Sequence, residues 1–213
     1  MAFEPLTPER RRQQTREYLL EAAARVFAER GFHGASLDQV AAAAGFTKGA
    51  VYSNFKNKED LFLALLEASR EREMDALNAT LEASDTPPGA RLPDFVTFIE
   101  DQTTDLGDRW GILYQEFALY AMRNPAAREK LAEFDAQSIA EVADLIGAER
   151  ARLGIEPLEK PEHVAKIIVA LFHGITLMRA LNADFVDESF LESAVTFLAQ
   201  GLMPAPDDQT PAD

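Results

Sequence analysis

The sequence predicts an all-α protein of about nine helices: an N-terminal three-helix unit carrying a helix-turn-helix, followed by a larger C-terminal helical part. Three observations predict it. Apolar residues recur at three- and four-residue spacing along the chain, while the period-two alternation of strands is absent. Helix punctuation falls between these periodic segments: Gly31, Gly45, Thr86-Pro87-Pro88-Gly89, Asn124-Pro125, Gly154, Pro157 and Lys160-Pro161. The apolar fraction of 47% over 213 residues is enough to fill a core.

The first helix is expected from about Pro8 to Arg30, with an apolar stripe of Tyr18, Leu19, Ala22, Ala23, Val26 and Phe27 and with Gly31 as its C-terminal cap. Two short helices follow, about Leu37–Ala44 and Lys48–Asn54. A long helix starts after Asn57, which can cap it, and Glu59 and Asp60 suit the positive end of its dipole. Its apolar positions include Leu61, Phe62, Leu65, Leu66, Leu77 and Leu81, and its middle, Arg70 to Asp75, is charged and therefore partly solvated. Further helices are expected at about 92–106, 109–123, 125–152, 161–182 and 187–202, with PAPDDQTPAD as a disordered tail.

Composition narrows the function. The chain has no cysteine, which excludes disulfides and thiolate metal sites and fits a cytoplasmic setting. The N-terminus has no apolar h-region and reads as no secretory signal. The apolar run Ile167 to Met178 is too short to span a bilayer and reads as a core helix, so no membrane partner is expected. The net charge of −15 is unevenly spread. Residues 1–60 carry nine Lys/Arg against eight Asp/Glu, a balance of +1, and residues 61–213 carry twelve against 28, a balance of −16. Such asymmetry lets one end approach phosphate while the rest is repelled, although an acidic surface also serves plain solubility.

The chemistry concentrates between Ser36 and Phe55. Ser36-Leu37-Asp38-Gln39 has the form of a capping box. Leu37, Val40, Ala41 and Ala44 form an inner face, and Gly45 ends the helix in a tight turn. Thr47 can cap the next helix, whose Val51 and Phe55 share one side. Two short helices joined by a turn containing glycine, packed on a longer first helix, match helix-turn-helix geometry. The outward face of the second helix then offers Lys48, Gly49, Tyr52, Ser53 and Asn54. Gly49 permits close approach, and Lys48 suits phosphate or a guanine edge. Tyr52 suits phosphate or a thymine methyl, and Ser53 and Asn54 suit base edges or backbone. Lys58 is a further phosphate candidate. The run Arg10-Arg11-Arg12 with Arg16 reads either as an arm on DNA or as a solvated helix start.

The block TREYLLEAAARVFAERGFHGASLDQVAAAAGFTKGAVYSNFKNKEDLFLALLE, Thr15 to Glu67, resembles the N-terminal domain of TetR-family transcriptional regulators, most specifically over AGFTKGAVYSNFKNKEDLF. The resemblance implies phosphate contacts from Ser36, Thr47, Tyr52 and Lys58, with base or backbone contact from Lys48. Many members have histidine where this chain has Asn54, so that contact is in doubt. It implies a DNA-binding domain over 12–72 (helix-turn-helix about 35–55), an effector-binding and dimerisation domain over 73–204, and a tail over 205–213. The implied function is that of a homodimeric repressor, released by a small-molecule effector from a double-stranded, palindromic operator. No cofactor, metal or enzymatic activity is implied.

Beyond residue 85 the resemblance weakens. The expected dimer interface is Ile168, Phe172, Ile175, Phe190, Ala194, Phe197 and Leu198, on two helices apolar over more of their circumference than a one-sided core needs. Family members pair their last two helices in this way. The aromatic-rich helices before them suggest a ligand space bounded by Phe95, Phe98, Trp110, Tyr114, Phe117, Phe134 and His173, with Gln102, Gln115, Glu116 and Arg179 as polar members; each aromatic alone also fits plain core. Two other classes were weighed. A helical enzyme lacks its parts: His33, His163 and His173 form no HExxH or Glu-x-x-His pattern, and no P-loop, G-x-S-x-G or GxGxxG spacing occurs. A DNA-organising protein without an effector would favour a basic body, which this chain lacks.

Overall fold

The structure, a computed structural model, describes residues 7–83 and 105–202. Within them lie α1 (Pro8–Gly34), α2 (Leu37–Ala44), α3 (Lys48–Asn54), α4 (Lys58–Ala83), α5 (Asp105–Arg123), α6 (Pro125–Arg152), α7 (Pro161–Leu181), a 3-10 turn (Ala183–Phe185) and α8 (Glu188–Leu202). No strand occurs among the described residues. The chain is all-α, as the periodicity predicts. The helix expected at 92–106 lies almost wholly outside the described residues.

Local signals account for the boundaries. Pro8 opens α1 behind Thr7, whose hydroxyl accepts from the Arg10 amide. Ser36 and Gln39 form the capping box of α2: the Ser36 hydroxyl accepts from the Gln39 amide at 3.3 Å, and the Ser36 amide donates to the Gln39 side chain at 2.9 Å. Gly45, at φ 71 and ψ 23, closes α2 in a Schellman motif. Its N–H donates to Ala42, and the Phe46 N–H donates to Ala41. Asn57 caps α4 by accepting from the Asp60 amide at 2.8 Å, and Asp60 in turn accepts from the Lys56 amide.

The chain divides into two compact units, 1–72 with 109–135 and 73–108 with 136–213. The first holds the larger core among the described residues. Leu19, Ala22, Ala23, Val26 and Phe27 of α1 bury against Leu37, Val40 and Ala41 of α2, Val51 of α3 and Leu61, Phe62, Leu65 and Leu66 of α4. Burial of each large apolar side chain here stabilises the unit by about 1.5–3 kcal/mol. The second unit has two small clusters, one of Ala143, Ile146 and Ala165 and one of Ile175, Val186 and Leu191.

Gly31 corrects one expectation. It is not a left-handed cap after the last turn but a break inside α1, at φ 68 and ψ 171. Only glycine adopts this region without strain. The break turns Phe32 into the core, where its ring lies 5.0–6.2 Å from those of Phe27, Phe62, Phe117 and Tyr120. The freed Phe32 N–H donates to the Glu116 carboxylate at 2.6 Å.

Gly31 and Gly45, both at positive φ, should separate in stability. A Cβ on Gly31 would stand 2.8 Å from Glu116 Oε2, whereas one on Gly45 would meet nothing within 4 Å. Gly31→Ala should lose about 2 kcal/mol or more, through strain and displacement of Glu116, and Gly45→Ala only about 1 kcal/mol. Urea denaturation of both variants checks this, and equal losses would refute the role assigned to Glu116.

Candidate nucleic-acid interface

The recognition surface begins with how α3 is held. Val51 and Phe55 are buried at 0% and 1% exposure, which turns the opposite side of α3 outward. That side carries Lys48, Gly49, Tyr52 and Ser53, all exposed, with Thr47 at its start. The tyrosine ring is 57% exposed, far too open to be serving the core. Thr47 caps α3 by accepting from the Ala50 amide at 3.2 Å, a role that leaves its O–H proton to donate outward. The helix is braced from α1 as well: Arg12 donates to the Ser53 carbonyl at 3.1 Å, and the Arg16 guanidinium sits 4.7 Å from the centre of the Phe55 ring. A cation at the carbonyl end of a helix also suits its dipole.

Several expected site residues take other positions. Arg10, Arg11 and Arg12 lie in the first turns of α1 and do not form an arm, because Thr7 and Pro8 start the helix before them. Asn54 is half-buried and donates back to the Ala50 carbonyl at 2.8 Å. Ser53 remains exposed, with its hydroxyl donating to the same carbonyl. Ser36 is exposed at the start of α2, with its hydroxyl serving the capping box.

Lys58 is the clearest correction. Its ammonium points inward and donates to the carbonyls of Phe32 (2.8 Å), Ala35 (3.1 Å) and His33 (3.3 Å). These use all three of its N–H groups. It also lies 4.7 Å from the centre of the Phe32 ring. Burial lowers its pKa, partly offset by the charge of Glu59. Lys58 thus closes the end of α1.

Asp38 was not among the expected site residues. It sits in the first turn of α2, and its carboxylate accepts from Lys48 Nζ at 2.5 Å. The hydrogen bond to Asp38, followed by its charge, raises the Lys48 pKa.

Of the residues expected around a ligand, Tyr114, Phe117, Phe134 and His173 are described with their side chains. Phe95 and Phe98 lie outside the described residues, as does the side chain of Trp110. Phe117, at 0% exposure, belongs to the core of the first unit, stacked 4.9 Å from Phe62. A ring enclosed in this way is committed to packing. Glu116 is occupied by Phe32. Phe134 packs against the same core beneath the Arg70 guanidinium. Tyr114 donates to Asp135 at 2.8 Å, and burial, then the Asp135 charge, pushes its pKa up. His173 belongs to the second unit, half-buried on α7. That unit also has a groove of about 420 Å³ that the sequence does not announce, lined by Met74, Asn78 and Leu81 of α4 and by Glu141, Asp144, Leu145, Ala148 and Arg152 of α6.

The expected dimer residues divide as well. Phe172 and Phe197 are exposed, and Ile168, Phe190, Ala194 and Leu198 are half-buried. Ile175 turns instead into a cluster with Val186 and Leu191. Ile167, Leu177, Met178, Leu181 and Phe185, outside the seven expected interface residues, join the exposed apolar residues. The expectation of a core helix at α7 is also corrected. By length and composition it is the one helix among the described residues able to cross a membrane, yet only 11% of its most apolar stretch is buried in the chain.

Comparison with known proteins decides the family. Residues 19–65 match the model for bacterial regulatory proteins of the tetR family, and residues 88–203, more than half of the chain, match that for the C-terminal part of BetI-type transcriptional repressors. The chain belongs to the TetR family of transcriptional regulators. Relatives include the transcriptional regulator AcrR of Shigella flexneri, 46% identical over 57 residues (27% of this chain, 26% of that protein). Another is the repressor DhaR of Mycobacterium sp. strain GP1, 32% identical over 88 residues (41% and 44%). The chain therefore spans between a quarter and a half of the length of these named relatives. Among solved structures, a TetR-family regulator from Rhodococcus sp. is similar with a TM-score of 0.73 and 24% identity, over 90% of this chain and 100% of that one. FadR of Bacillus subtilis, solved in complex with stearoyl-CoA, is similar with a TM-score of 0.64 and 18% identity, over 87% and 96%. These likenesses show the TetR-type fold. They extend the resemblance through the C-terminal part, where motif reading gave little.

Two substitutions test the geometry. The nearest neighbour of a Cβ on Gly49 would be Thr47 Oγ1 at 3.8 Å, an ordinary contact. Gly49→Ala should therefore keep or raise stability, by up to about 1 kcal/mol, yet weaken DNA binding. Parallel melts and gel-shift titrations read this; undiminished DNA affinity would mean that α3 does not approach DNA at Gly49. Lys58→Met leaves three carbonyls without their donor and should cost about 1–3 kcal/mol of stability. Unchanged denaturation with lost DNA affinity would return Lys58 to the phosphate contacts.

Proposed function

We propose that this protein is a homodimeric transcriptional repressor that holds a palindromic operator through α3 and is released from it by a small-molecule effector. The observation that carries the reading is the α3 face: Thr47, Lys48, Gly49 and Tyr52 stand outward while Val51 and Phe55 are fixed in the core. A short helix with one side locked and a polar, side-chain-sparse outer side suits the major groove. Phosphate contacts fall to Thr47 and Tyr52, with Ser36 beside them, and base-edge or phosphate contact to Lys48. Ser53 is the further candidate on this face, and Asn54 the weakest. The match to a BetI-type repressor model supports repression. A cytoplasmic location follows from work on DNA, and no enzymatic step is part of the reading.

Dimerisation is supported by the exposed apolar residues of the second unit. Ile167, Phe172, Leu177, Met178 and Leu181 on α7 are 38–77% exposed, and Phe197 on α8 is 74% exposed. Apolar surface on this scale marks an interface. A second copy supplies a matching apolar face and a second recognition helix for the next half-site.

The effector is placed in the C-terminal part. The α4–α6 groove has the volume of a small-ligand site and includes three α4 residues. The same helix begins at Lys58, on the end of α1. An effector that favours one position of α4 would shift the population away from the DNA-binding arrangement, and by linkage DNA would weaken effector binding equally. The acyl-CoA complex of FadR illustrates a small ligand in a protein of similar fold.

Enrichment of bound duplexes from a random-sequence library, followed by sequencing, tests the reading. A single palindromic consensus is expected. Recovery of no consensus would overturn sequence-specific recognition. In the same system, Leu181→Glu combined with Phe197→Glu should convert a dimer to a monomer by light scattering and lower affinity for the consensus about 100-fold or more. A dimer that persists in this variant would move the interface elsewhere.

A further inference from the structure

We propose that Asp38 is a specificity-determining residue: by holding Lys48 it withholds the recognition helix's charge from phosphate at large and so suppresses binding to unmatched DNA. The proposal rests on the DNA-binding reading above.

Between Ser36 and Phe55 the chain contains just two charged residues, Asp38 and Lys48. They stand ten positions apart on different helices, and the fold brings them to 2.5 Å. Their side chains remain 50% and 67% exposed. An ion pair this open contributes little to stability, so the fold gains little from it. Its consequence lies in its position. Lys48 starts the outward face of α3, and the other exposed members of that face, Gly49, Tyr52 and Ser53, carry no charge. With Lys48 paired, the helix-turn-helix presents DNA with no net charge. The raised pKa of Lys48 has Asp38 as its first cause, in agreement with the pairing.

Non-specific complexes draw nearly all their affinity from phosphate neutralisation. For them, approach means either giving up the Asp38 bond or bringing a carboxylate toward the phosphates. A matched site offers base-edge contacts in addition, and these offset the exchange. The pair thus penalises unmatched DNA more than matched DNA, which is how a repulsive element confers specificity.

The test uses the purified full-length chain, a mixed-sequence duplex and the consensus duplex enriched by the wild-type protein, titrated by fluorescence anisotropy over a series of KCl concentrations. Asp38→Asn should bind the mixed-sequence duplex about five- to tenfold more tightly near 0.1 M salt, with the slope of log affinity against log salt steeper by about 0.9, one additional phosphate. Affinity for the consensus should rise less, so the ratio between the two falls. Asp38→Ser should act alike, which separates the lost charge from any effect of the amide. In a Lys48→Met background the steepening should disappear, an outcome that a merely structural role for Asp38 would not produce. An unchanged slope and ratio in Asp38→Asn, or the same steepening without Lys48, overturns the proposal. If the wild-type protein enriches no consensus, the DNA-binding reading itself falls and takes the proposal with it.

Discussion

The DNA-binding unit depends on the break at Gly31. A straight α1 would carry Phe32 onward along its own surface. The φ of 68 at Gly31 turns the chain so that Phe32 enters the core. The break frees the Phe32 amide and leaves the last carbonyls of α1 without helical partners. Glu116 of α5 takes the amide, and Lys58 of α4 takes the carbonyls of Phe32, His33 and Ala35. One residue is thereby gripped at its donor, its acceptor and its ring by two other helices, α4 and α5, with Phe62 and Phe117 closing on the aromatic face. Tyr120 adds a further tie, donating to Glu59 in the first turn of α4 at 2.6 Å. A half-buried carboxylate and ammonium are tolerable here because backbone dipoles satisfy each of them.

This arrangement explains why α3 can be so sparsely packed. A seven-residue helix has little cooperative stability of its own. Its position comes from Val51 and Phe55, from the Thr47 cap, and from Arg12 and Arg16 reaching across from α1. Apart from the Thr47 cap, none of these uses the outward face, so Gly49 and Tyr52 are held by contacts that lie away from it. Lys48 is the exception, since its partner lies on the same exposed surface.

How much of this is legible in the sequence depends on the range of the forces involved. Helix limits are set by neighbours three or four residues apart. The box at Ser36 and Gln39, the glycine stop at Gly45 and the cap at Asn57 can therefore be read directly, and α2 and α3 fall where the spacing puts them. The buried and outward sides of α3 are equally legible, because Val51 and Phe55 sit at i and i+4. Contacts between distant positions are not. Phe32 and Glu116 are 84 residues apart, and nothing local in either announces the bond. Lys58 reads as a surface cation until its 26-residue reach to the Phe32 carbonyl is seen. Phe117 fails for a related reason: aromatic residues at helical spacing look the same whether they line a cavity or fill a core.

The C-terminal part turns the same physics outward. Among the described residues, single-chain burial there forms two small clusters, while α7 leaves Ile167, Phe172, Leu177, Met178 and Leu181 exposed. Leaving such side chains in water forgoes about 1.5–3 kcal/mol apiece relative to full burial, a gain that the proposed pairing with a second copy would recover in part. The acidic balance of residues 61–213 bears on what that partner can be. It disfavours DNA and the anionic face of a membrane, and favours an uncharged surface such as α7 itself presents. A hydrophobic seam within an acidic body makes pairing depend on apolar fit instead of charge attraction. In the proposed dimer, pairing would then survive changes in salt that weaken the proposed hold of α3 on phosphate.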